Sequence, residues 1–330
     1  MERVAHSRAL YASEEPIRIG VSSCLLGAKV RFDGGHKRSD FLVDTLGSFV
    51  EFVPVCPELE IGLGVPRETL RLVRDGTAQA TRLVANQTAI DHTKAMNSYA
   101  ERRVVALGRE GLSGYILKKD SPSCGMERVR VYGSSGMPTR DGSGLFAAAL
   151  MRRYPSLPVE EEGRLNDPYL RENFVERVFA YRRLRSFFAS RWTLGGLVRF
   201  HTMHKLSLMA HSPKAYGELG RFVAYAKRMA RDDVPELYES AFMEALKKLA
   251  TTARHRNVLQ HMLGYLRPHL DQDSRDELVT LIEDYGRGLV PLIVPIALFR
   301  HYVRKFDVAY LRGQVYLEPH PKELMLRNHV

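Results

Sequence analysis

The sequence predicts an α/β domain with a doubly wound, Rossmann-like and mostly parallel sheet, followed by an all-α domain. Up to about residue 160, short apolar strand-like runs alternate with helical segments, which is typical of α/β proteins. Beyond Gly163 strand signals almost vanish, and apolar residues recur at helical spacing. We therefore predict a leader over residues 1–16, an α/β domain over residues 17–160 and an all-α domain over residues 163–330.

The predicted α/β domain contains three strands that each lead to a cysteine. Their apolar runs begin at residues 17, 49 and 114 and lead to Cys24, Cys56 and Cys124, the chain's three cysteines. The carboxyl ends of parallel strands meet at one edge of a sheet, so the three cysteines are expected to converge there. The other expected elements are helices over 41–46, 88–107 and 145–154, a hairpin of 70–74 with 80–85, a polar glycine-rich segment over 133–144 and a strand at 157–159.

The all-α domain is predicted from runs with apolar residues at helical spacing. Its expected helices are 174–188, 197–210, 216–229, 237–266, 277–285 and 292–306. The domain also carries most of the positive charge. The whole chain has a net charge of +11, of which residues 1–162 contribute +2 and residues 163–330 contribute +9. A basic half beside a nearly neutral half is the pattern expected when a nucleic-acid-binding module is joined to another activity.

Three cysteines leave four chemical interpretations open. They could be separate buried hydrophobic residues, a nucleophile with two bystanders, a zinc site completed by a residue such as His36, or an iron–sulfur cluster with one iron lacking a protein ligand. An odd number of cysteines argues against a disulfide framework. The chain shows neither an apolar run of membrane-spanning length nor the apolar core of a signal peptide, so we expect a cytoplasmic protein without membrane partners.

Several motifs make the chain resemble the thiouracil desulfidase family over about residues 17–155. They are VSSCLLG, PVCPE followed by GVPRE, and ILKKDSPSCG. The later segments MHKLSLMAHSPKAY, HRNVLQHMLGY and GLVPLIVPIALFRHYVRKF resemble a helical domain of formerly unknown function that is often fused behind it. Fused proteins of this kind are associated with removal of sulfur from 4-thiouridine in transfer RNA. Stand-alone desulfidases act on free thiouracil or its nucleotide.

The resemblance implies a [4Fe-4S] cluster on Cys24, Cys56 and Cys124, with one open iron acting as a Lewis acid toward sulfur. It implies hydrolysis of a C–S bond without net redox change, giving uridine and hydrogen sulfide. Glu58, two residues after a ligand, is the first candidate for the general base, with a turn-capping role as the alternative. The candidates for donating hydrogen bonds to the pyrimidine ring of the substrate, or to negative charge that develops on it, are Lys118, Lys119, Ser121 and Ser123.

The remaining candidates concern binding of the substrate. Arg31, Lys37 and Arg67 could contact a phosphate or a base. A uridine in folded RNA must leave its stack to reach a recessed site, so the basic helical domain is expected to supply binding energy. The candidate contacts there include Arg182, Arg183, Lys227 and Arg228. Two alternatives stay open: an enzyme acting on small thiolated pyrimidines, and a non-enzymatic iron–sulfur sensor that binds RNA or another partner.

Overall fold

The computed structural model describes residues 16–74, 81–133 and 137–329. Within it the chain divides between Asp167 and Pro168 into two compact units, called here the first and the second unit. Among the described residues of both units, no helix is long and apolar enough to cross a membrane. The prediction of an α/β region followed by a helical region is confirmed.

A four-stranded parallel sheet forms the centre of the first unit. Its strands are β1 (Arg18–Ser22), β2 (Glu51–Val55), β5 (Leu112–Leu117) and β8 (Val159–Glu161), in the spatial order β2-β1-β5-β8. The chain moves from β1 outward to β2 and then returns to the other side of β1 to form β5. The point where the order reverses, between β1 and β5, is where open α/β sheets bind their ligands.

Close packing between neighbouring strands explains one glycine in the sheet. A Cβ atom on Gly20 in β1 would lie 2.2 Å from the ring of Tyr115 in β5. Tyr115 is almost fully buried, and its ring lies 5.9 Å from that of Phe146 in helix α3 (Leu145–Arg153). The apolar runs that begin at residues 17 and 114 form the two interior strands, β1 and β5, which are covered on both faces. The run that begins at residue 49 forms β2 at the edge of the sheet, where Val55 is the one buried residue of the strand.

A second four-stranded sheet in the first unit was only partly predicted. The predicted hairpin is present as β3 (Leu70–Val73) and β4 (Arg82–Ala85), although its turn and Ala80 lie outside the described residues. The sheet continues through β6 (Val129–Tyr132) and β7 (Pro138–Gly142) in the order β4-β3-β6-β7. Part of the segment 133–144, which was predicted only as polar and glycine-rich, therefore forms a strand, β7. Four of the five β7 residues are exposed, so the sequence of β7 shows no alternation of apolar and polar residues. Its strand conformation comes from pairing with β6.

Two predicted helices of the first unit have different bounds in the structure. The expected helix over 88–107 is α2 (Thr93–Arg109), because Asp91 accepts a hydrogen bond from the Thr93 amide and so starts the helix later. The expected helix over 41–46 is a π-helical segment, Phe41–Thr45, followed by a short 3₁₀ turn. A further helical turn, α1 (Pro57–Glu60), directly follows Cys56 in a region predicted as loop from Leu59 onward.

The second unit is built from helices throughout its described residues. They are α4 (Pro168–Ala189), α5 (Leu194–His211), α6 (Pro213–Tyr225), α7 (Asp233–Lys247), α8 (Thr252–Leu266), α9 (Gln272–Gly286), α10 (Ile293–Lys305) and α11 (Ala309–Arg312). The single helix predicted over 237–266 was wrong. Lys248 has an extended conformation that ends α7, and the Thr251 hydroxyl accepts a hydrogen bond from the Arg254 amide, which caps the start of α8.

Candidate active site

The three cysteines line one cavity of about 390 Å³ at the carboxyl ends of the parallel strands. We call it the thiol cavity. Cys24 lies in a short 3₁₀ turn directly after β1, Cys56 lies between β2 and α1, and Cys124 lies in the loop after β5. Cys24 and Cys124 are buried and Cys56 is half-buried. The expectation that the sheet brings the three side chains to one site thus agrees with the structure.

Hydrogen bonds hold the loop that carries Cys124. The Ser121 hydroxyl oxygen accepts from the backbone amides of Ser123, at 3.3 Å, and Cys124, at 3.1 Å. In the first turn of α3, the amides of Phe146, at 3.1 Å, and Ala147, at 3.2 Å, donate to the Ser123 carbonyl. A Cβ atom on Gly144 would lie 2.5 Å from that same carbonyl oxygen, so this close approach needs glycine.

Cys56 is positioned by a carboxylate that was not recognised in the sequence. The Cys56 amide donates to Glu60 Oε1 at 3.1 Å, and the Tyr99 hydroxyl donates to Glu60 Oε2 at 2.8 Å. Glu60 follows Cys56 by four residues, so the spacing of a helical first turn was the available signal. The contribution of Tyr99 had no local signal, because it comes from the distant helix α2.

Burial makes all three thiols difficult to ionise. It raises the pKa of Cys24 to about 11 and raises the pKa values of Cys56 and Cys124 as well. A nucleophilic cysteine needs the opposite shift, toward the thiolate. Such thiols become thiolates when a metal centre supplies the compensating positive charge. The electrostatics of the thiol cavity therefore favour metal binding over a nucleophile with two bystanders.

The donor set fits a cluster better than a single ion. Among the described residues, no three His, Cys, Asp or Glu side chains are placed to hold one metal ion together. The His36 side chain is exposed and accepts a hydrogen bond from the Arg38 amide through Nδ1, so it does not complete a zinc set. Thiolates around an iron–sulfur cluster bind separate irons and need not point at a common centre.

Glu58 is held in place at the wall of the thiol cavity. Its Oε2 accepts from Arg67 Nη2 at 2.6 Å and Nε at 3.1 Å, and its Oε1 accepts from the Ser123 hydroxyl at 2.7 Å. Ser123 Oγ also lies 3.0 Å from Ser121 Oγ and 3.6 Å from Cys124 Sγ. The candidate base, both candidate serines and one cysteine thus form one connected network.

The basic candidates around this network differ in their surroundings. Arg31 and Lys37 line the thiol cavity, and Arg31 Nε lies 3.4 Å from Asp33. Arg67 binds Glu58 and the Val30 carbonyl, so its guanidinium is used inside the protein rather than left open to a substrate.

The two lysine candidates meet the same carboxylate. Lys118 Nζ donates to one oxygen of Glu162, and the Lys119 amide donates to the other at 2.7 Å. Glu162 lies between the two predicted domains, 17–160 and 163–330, and was not predicted as a site residue. The structure shows that it holds one wall of the thiol cavity, and its position at the end of β8 was not apparent from local sequence.

The candidate RNA contacts of the second unit fall into two groups. Lys227 and Arg228 are exposed, and the Arg228 guanidinium lies 5.0 Å from the exposed ring of Tyr225. Arg182 and Arg183 are half-buried. Arg183 donates to the Pro319 carbonyl at 2.9 Å and to an imidazole nitrogen at 3.3 Å, which indicates a structural contribution.

The fold and the thiol cavity define a class of protein: an α/β protein with a cysteine-lined site at the switch point of its parallel sheet, joined to a helical unit. Residues 19–162 match the family model described as 2-thiouracil desulfurase, and residues 205–321 match the model described as a protein of unknown function, DUF1722. The chain belongs to the thiouracil desulfidase family and combines these two domains.

Two curated relatives each match less than half of this chain but nearly all of their own length. The uncharacterized protein YbgA of Escherichia coli is 37% identical over 153 residues, which are 46% of this chain and 90% of YbgA. The uncharacterized protein YbbK of Bacillus subtilis is 32% identical over 151 residues, which are 44% of this chain and 97% of YbbK. The solved structure of the [4Fe-4S]-dependent thiouracil desulfidase TudS is similar at 33% identity and a TM-score of 0.37, covering 46% of this chain and 94% of TudS.

Proposed function

We propose that this protein is a [4Fe-4S]-dependent desulfidase that converts 4-thiouridine in transfer RNA into uridine and hydrogen sulfide. The observation that carries the proposal is the meeting of three thiols, two of them buried and one half-buried, with the Glu58–Ser123 network in one cavity. Cys24, Cys56 and Cys124 would hold the cluster. When bound, it supplies an iron without a protein ligand, which is a Lewis acid suited to a thiocarbonyl sulfur.

The reaction is a hydrolysis without net redox change. Water adds to C4 of the thiolated pyrimidine, the C–S bond breaks, and sulfur leaves as hydrogen sulfide while oxygen stays on C4. Glu58 is the proposed base for the water. Both of its oxygens already accept hydrogen bonds, so the water must take the place of, or join, the Ser123 hydroxyl at Oε1.

Other residues of the thiol cavity prepare this step. Arg67 fixes the direction of the Glu58 carboxylate by donating two hydrogen bonds to the same oxygen. Ser121 and Ser123 can reorient their hydroxyls and donate to charge that develops on the pyrimidine. Lys118 is paired with Glu162 and contributes a fixed positive charge close to Cys24.

Transfer RNA is the proposed substrate because the second unit is basic. Residues 163–330 carry a net charge of +9, and exposed cations such as Lys227 and Arg228 can contact phosphates. A free thiolated pyrimidine nucleotide is the second candidate. It is favoured by Arg31 and Lys37, which line the thiol cavity itself and could bind one phosphate. The proposed location is the cytoplasm, where thiols stay reduced.

The test is turnover by protein whose iron and acid-labile sulfide have been measured after anaerobic reconstitution. Purified 4-thiouridine-containing transfer RNA and 4-thiouridine monophosphate are compared, with loss of the thiouridine absorbance and release of sulfide as readouts. We expect about four irons per chain, and faster turnover of the transfer RNA at equal thiouridine concentration. Faster turnover of the nucleotide would favour the second candidate, and a loaded protein that releases no sulfide from either would refute the desulfidase.

A further inference from the structure

A second cavity, of about 300 Å³, lies within the second unit and is lined by two carboxylates, Glu172 and Glu176, together with three histidines. We call it the carboxylate cavity. Its wall carries Glu172 from α4, and Tyr169, His255, Tyr285 and Ala250 contribute to its lining. This concentration of buried polar groups stands in a unit whose net charge is strongly positive.

The carboxylates beside this cavity differ in how completely they are paired. Glu176 Oε2 lies 3.5 Å from His211 Nε2 and 3.6 Å from Arg327 Nη2, so its charge is balanced on two sides. Glu172 Oε1 accepts a hydrogen bond from Arg327 Nε at 2.9 Å. From the residues that the structure describes, Glu172 Oε2 receives only a long contact, 3.5 Å, from His329 Nε2. One oxygen of a buried carboxylate therefore retains hydrogen-bonding capacity.

His255 supplies a second unpaired group. It is 8% exposed and lines the carboxylate cavity, and its Nδ1 lies 2.8 Å from the Tyr316 hydroxyl. The Tyr316 hydroxyl is buried and has this nitrogen as its available acceptor, so we assign the proton of the bond to the tyrosine. The His255 Nε2–H then has no partner among the residues that the structure describes, and it is left as a donor.

The two unpaired groups specify the chemistry of a ligand. A carboxylate oxygen accepts N–H groups, and an imidazole N–H donates to a carbonyl oxygen. Tyr169 and Tyr285 also line the cavity, and their rings form T-shaped contacts with His329 and His255. Guanine has two adjacent N–H donors, N1–H and the N2 amino group, next to the carbonyl oxygen O6. Uracil has a single N–H between two carbonyl oxygens, one of which would face the carboxylate.

We propose that the carboxylate cavity binds a guanine base, with Glu172 accepting from its N–H edge and His255 donating to O6. The sugar and phosphate would remain at the rim, where the Arg287 guanidinium is largely exposed. The base could come from a free nucleotide or from an unpaired nucleotide of RNA, since both present the same edge. The site lies in the second unit and does not depend on the desulfidase reaction.

The experiment is calorimetric titration of the full-length protein with guanosine, inosine and uridine monophosphates. Inosine monophosphate is the matched probe, because it lacks only the N2 amino group. We expect guanosine monophosphate to bind about tenfold more tightly than inosine monophosphate and at least that much more tightly than uridine monophosphate. Equal affinity for all three nucleotides would overturn the proposal.

Three variants locate the binding. Glu172→Gln should remove most of the preference for guanosine over inosine monophosphate, because an amide N–H₂ cannot accept the base's donors. Ala250→Phe fills the carboxylate cavity without touching its carboxylates, and should abolish the binding even if Glu172→Gln fails to fold. Glu244→Gln removes an exposed carboxylate on α7 and should change nothing. A preference that survives both cavity variants would place the binding elsewhere and refute this site.

Two short RNAs separate the sources of the base. One is a single-stranded oligouridine, and the other carries one central guanosine. A preference for the guanosine oligomer that Glu172→Gln abolishes, without binding of the free nucleotide, identifies RNA as the source. Binding of the free nucleotide with the same sensitivity shows that the base and its own phosphate suffice. The proposal is contradicted if the protein prefers neither the guanosine-containing RNA over oligouridine nor free guanosine monophosphate over the other nucleotides. No thiolated substrate is present, so failure here is distinct from failure of the desulfidase.

Discussion

The thiol cavity and the carboxylate cavity both bury acidic groups, but only beside the second is one of them, Glu176, fully balanced by cations of the protein. Burial raises the pKa values of all three thiols in the first unit. In the second unit, burial alone would raise the pKa of Glu176, yet His211 and Arg327 outweigh it and hold that pKa well below its usual range. The contrast shows that the cations at the thiol cavity do not offset the burial of the thiols, which a metal centre could do, whereas the ion pairs beside the carboxylate cavity do offset the burial of Glu176.

The strongest test of this contrast removes one thiol. Cys24→Ser should abolish desulfuration and sharply lower the iron and acid-labile sulfide per chain, because two cysteines cannot hold the cluster firmly and serine is a harder ligand. Ser23→Ala, the adjacent side chain lining the same cavity, should keep both iron and sulfide. Iron retained at full occupancy in Cys24→Ser would show that Cys24 is not a ligand.

The next largest effect is expected at Glu58. Glu58→Gln keeps the size of the side chain, and its amide oxygen can still accept from Arg67 while its N–H₂ group donates to the Ser123 hydroxyl oxygen, but it cannot take a proton from water. We expect kcat to fall by about 10²–10⁴ with normal iron content. Glu51→Gln, in an exposed pair with Arg18, is the control and should leave kcat unchanged. Activity of Glu58→Gln close to wild type would assign the base to another residue.

Removal of Arg327 tests whether the pairs beside the carboxylate cavity stabilise the fold. Arg327→Met leaves Glu172 and Glu176 buried without the guanidinium between them, which we expect to lower the free energy of unfolding by about 3–5 kcal/mol. Urea unfolding followed by fluorescence of Trp192, the single tryptophan, reports on the second unit. The control is Arg312→Met, whose pair with Asp307 is exposed, with an expected change within about 0.5 kcal/mol. Equal effects of the two variants would contradict the buried-pair interpretation.

The two cavities also differ in how far the sequence revealed them. The thiol cavity could be predicted because Cys24, Cys56 and Cys124 each follow an apolar strand, and parallel strands end at the same edge. Glu60 and Glu162 were not recognised as site residues, because a carboxylate that binds a backbone amide has the same local sequence as a solvated one. Their contributions depend on Tyr99 and Lys118, which lie about 40 residues away in the chain.

The carboxylate cavity could not have been predicted. Arg327 binds Glu172 across 155 residues of sequence, and both residue types are usually solvent-exposed. The helices themselves could be predicted from the periodicity of their apolar residues. The break between α7 and α8 could not, because the cap Thr251 that starts α8 does not interrupt this periodicity. The exposed strand β7 was missed for the related reason that its partner β6, and not its own composition, determines its conformation.

The last predicted effect is a difference in pH dependence. Burial raises the pKa of Glu172 to about 7, above the value of about 4.3 expected in the unfolded chain. Between these two pH values the folded state holds a proton that the unfolded state has released, so this group's contribution to stability falls as pH rises and is constant above about 7. Glu172→Gln removes that contribution.

The stability of Glu172→Gln relative to wild type should therefore increase from about pH 4.3 to pH 7 and then level off. Neighbouring groups titrate in both proteins, so their contributions to the free energy of unfolding largely cancel in the difference between the two. Glu176 has a lowered pKa and gives stability that is lost only as pH falls below about 4.3. His211 has its pKa raised by Glu176 despite burial, and its stabilisation is lost at high pH. Burial lowers the pKa of His255 to about 3, and His255 contributes equally to the stability of wild type and of Glu172→Gln. Stability is measured by urea unfolding followed at Trp192. Parallel pH profiles of the two proteins between about pH 4.3 and pH 7 would contradict the raised pKa, because Glu172 would then be ionised in the folded state over that range.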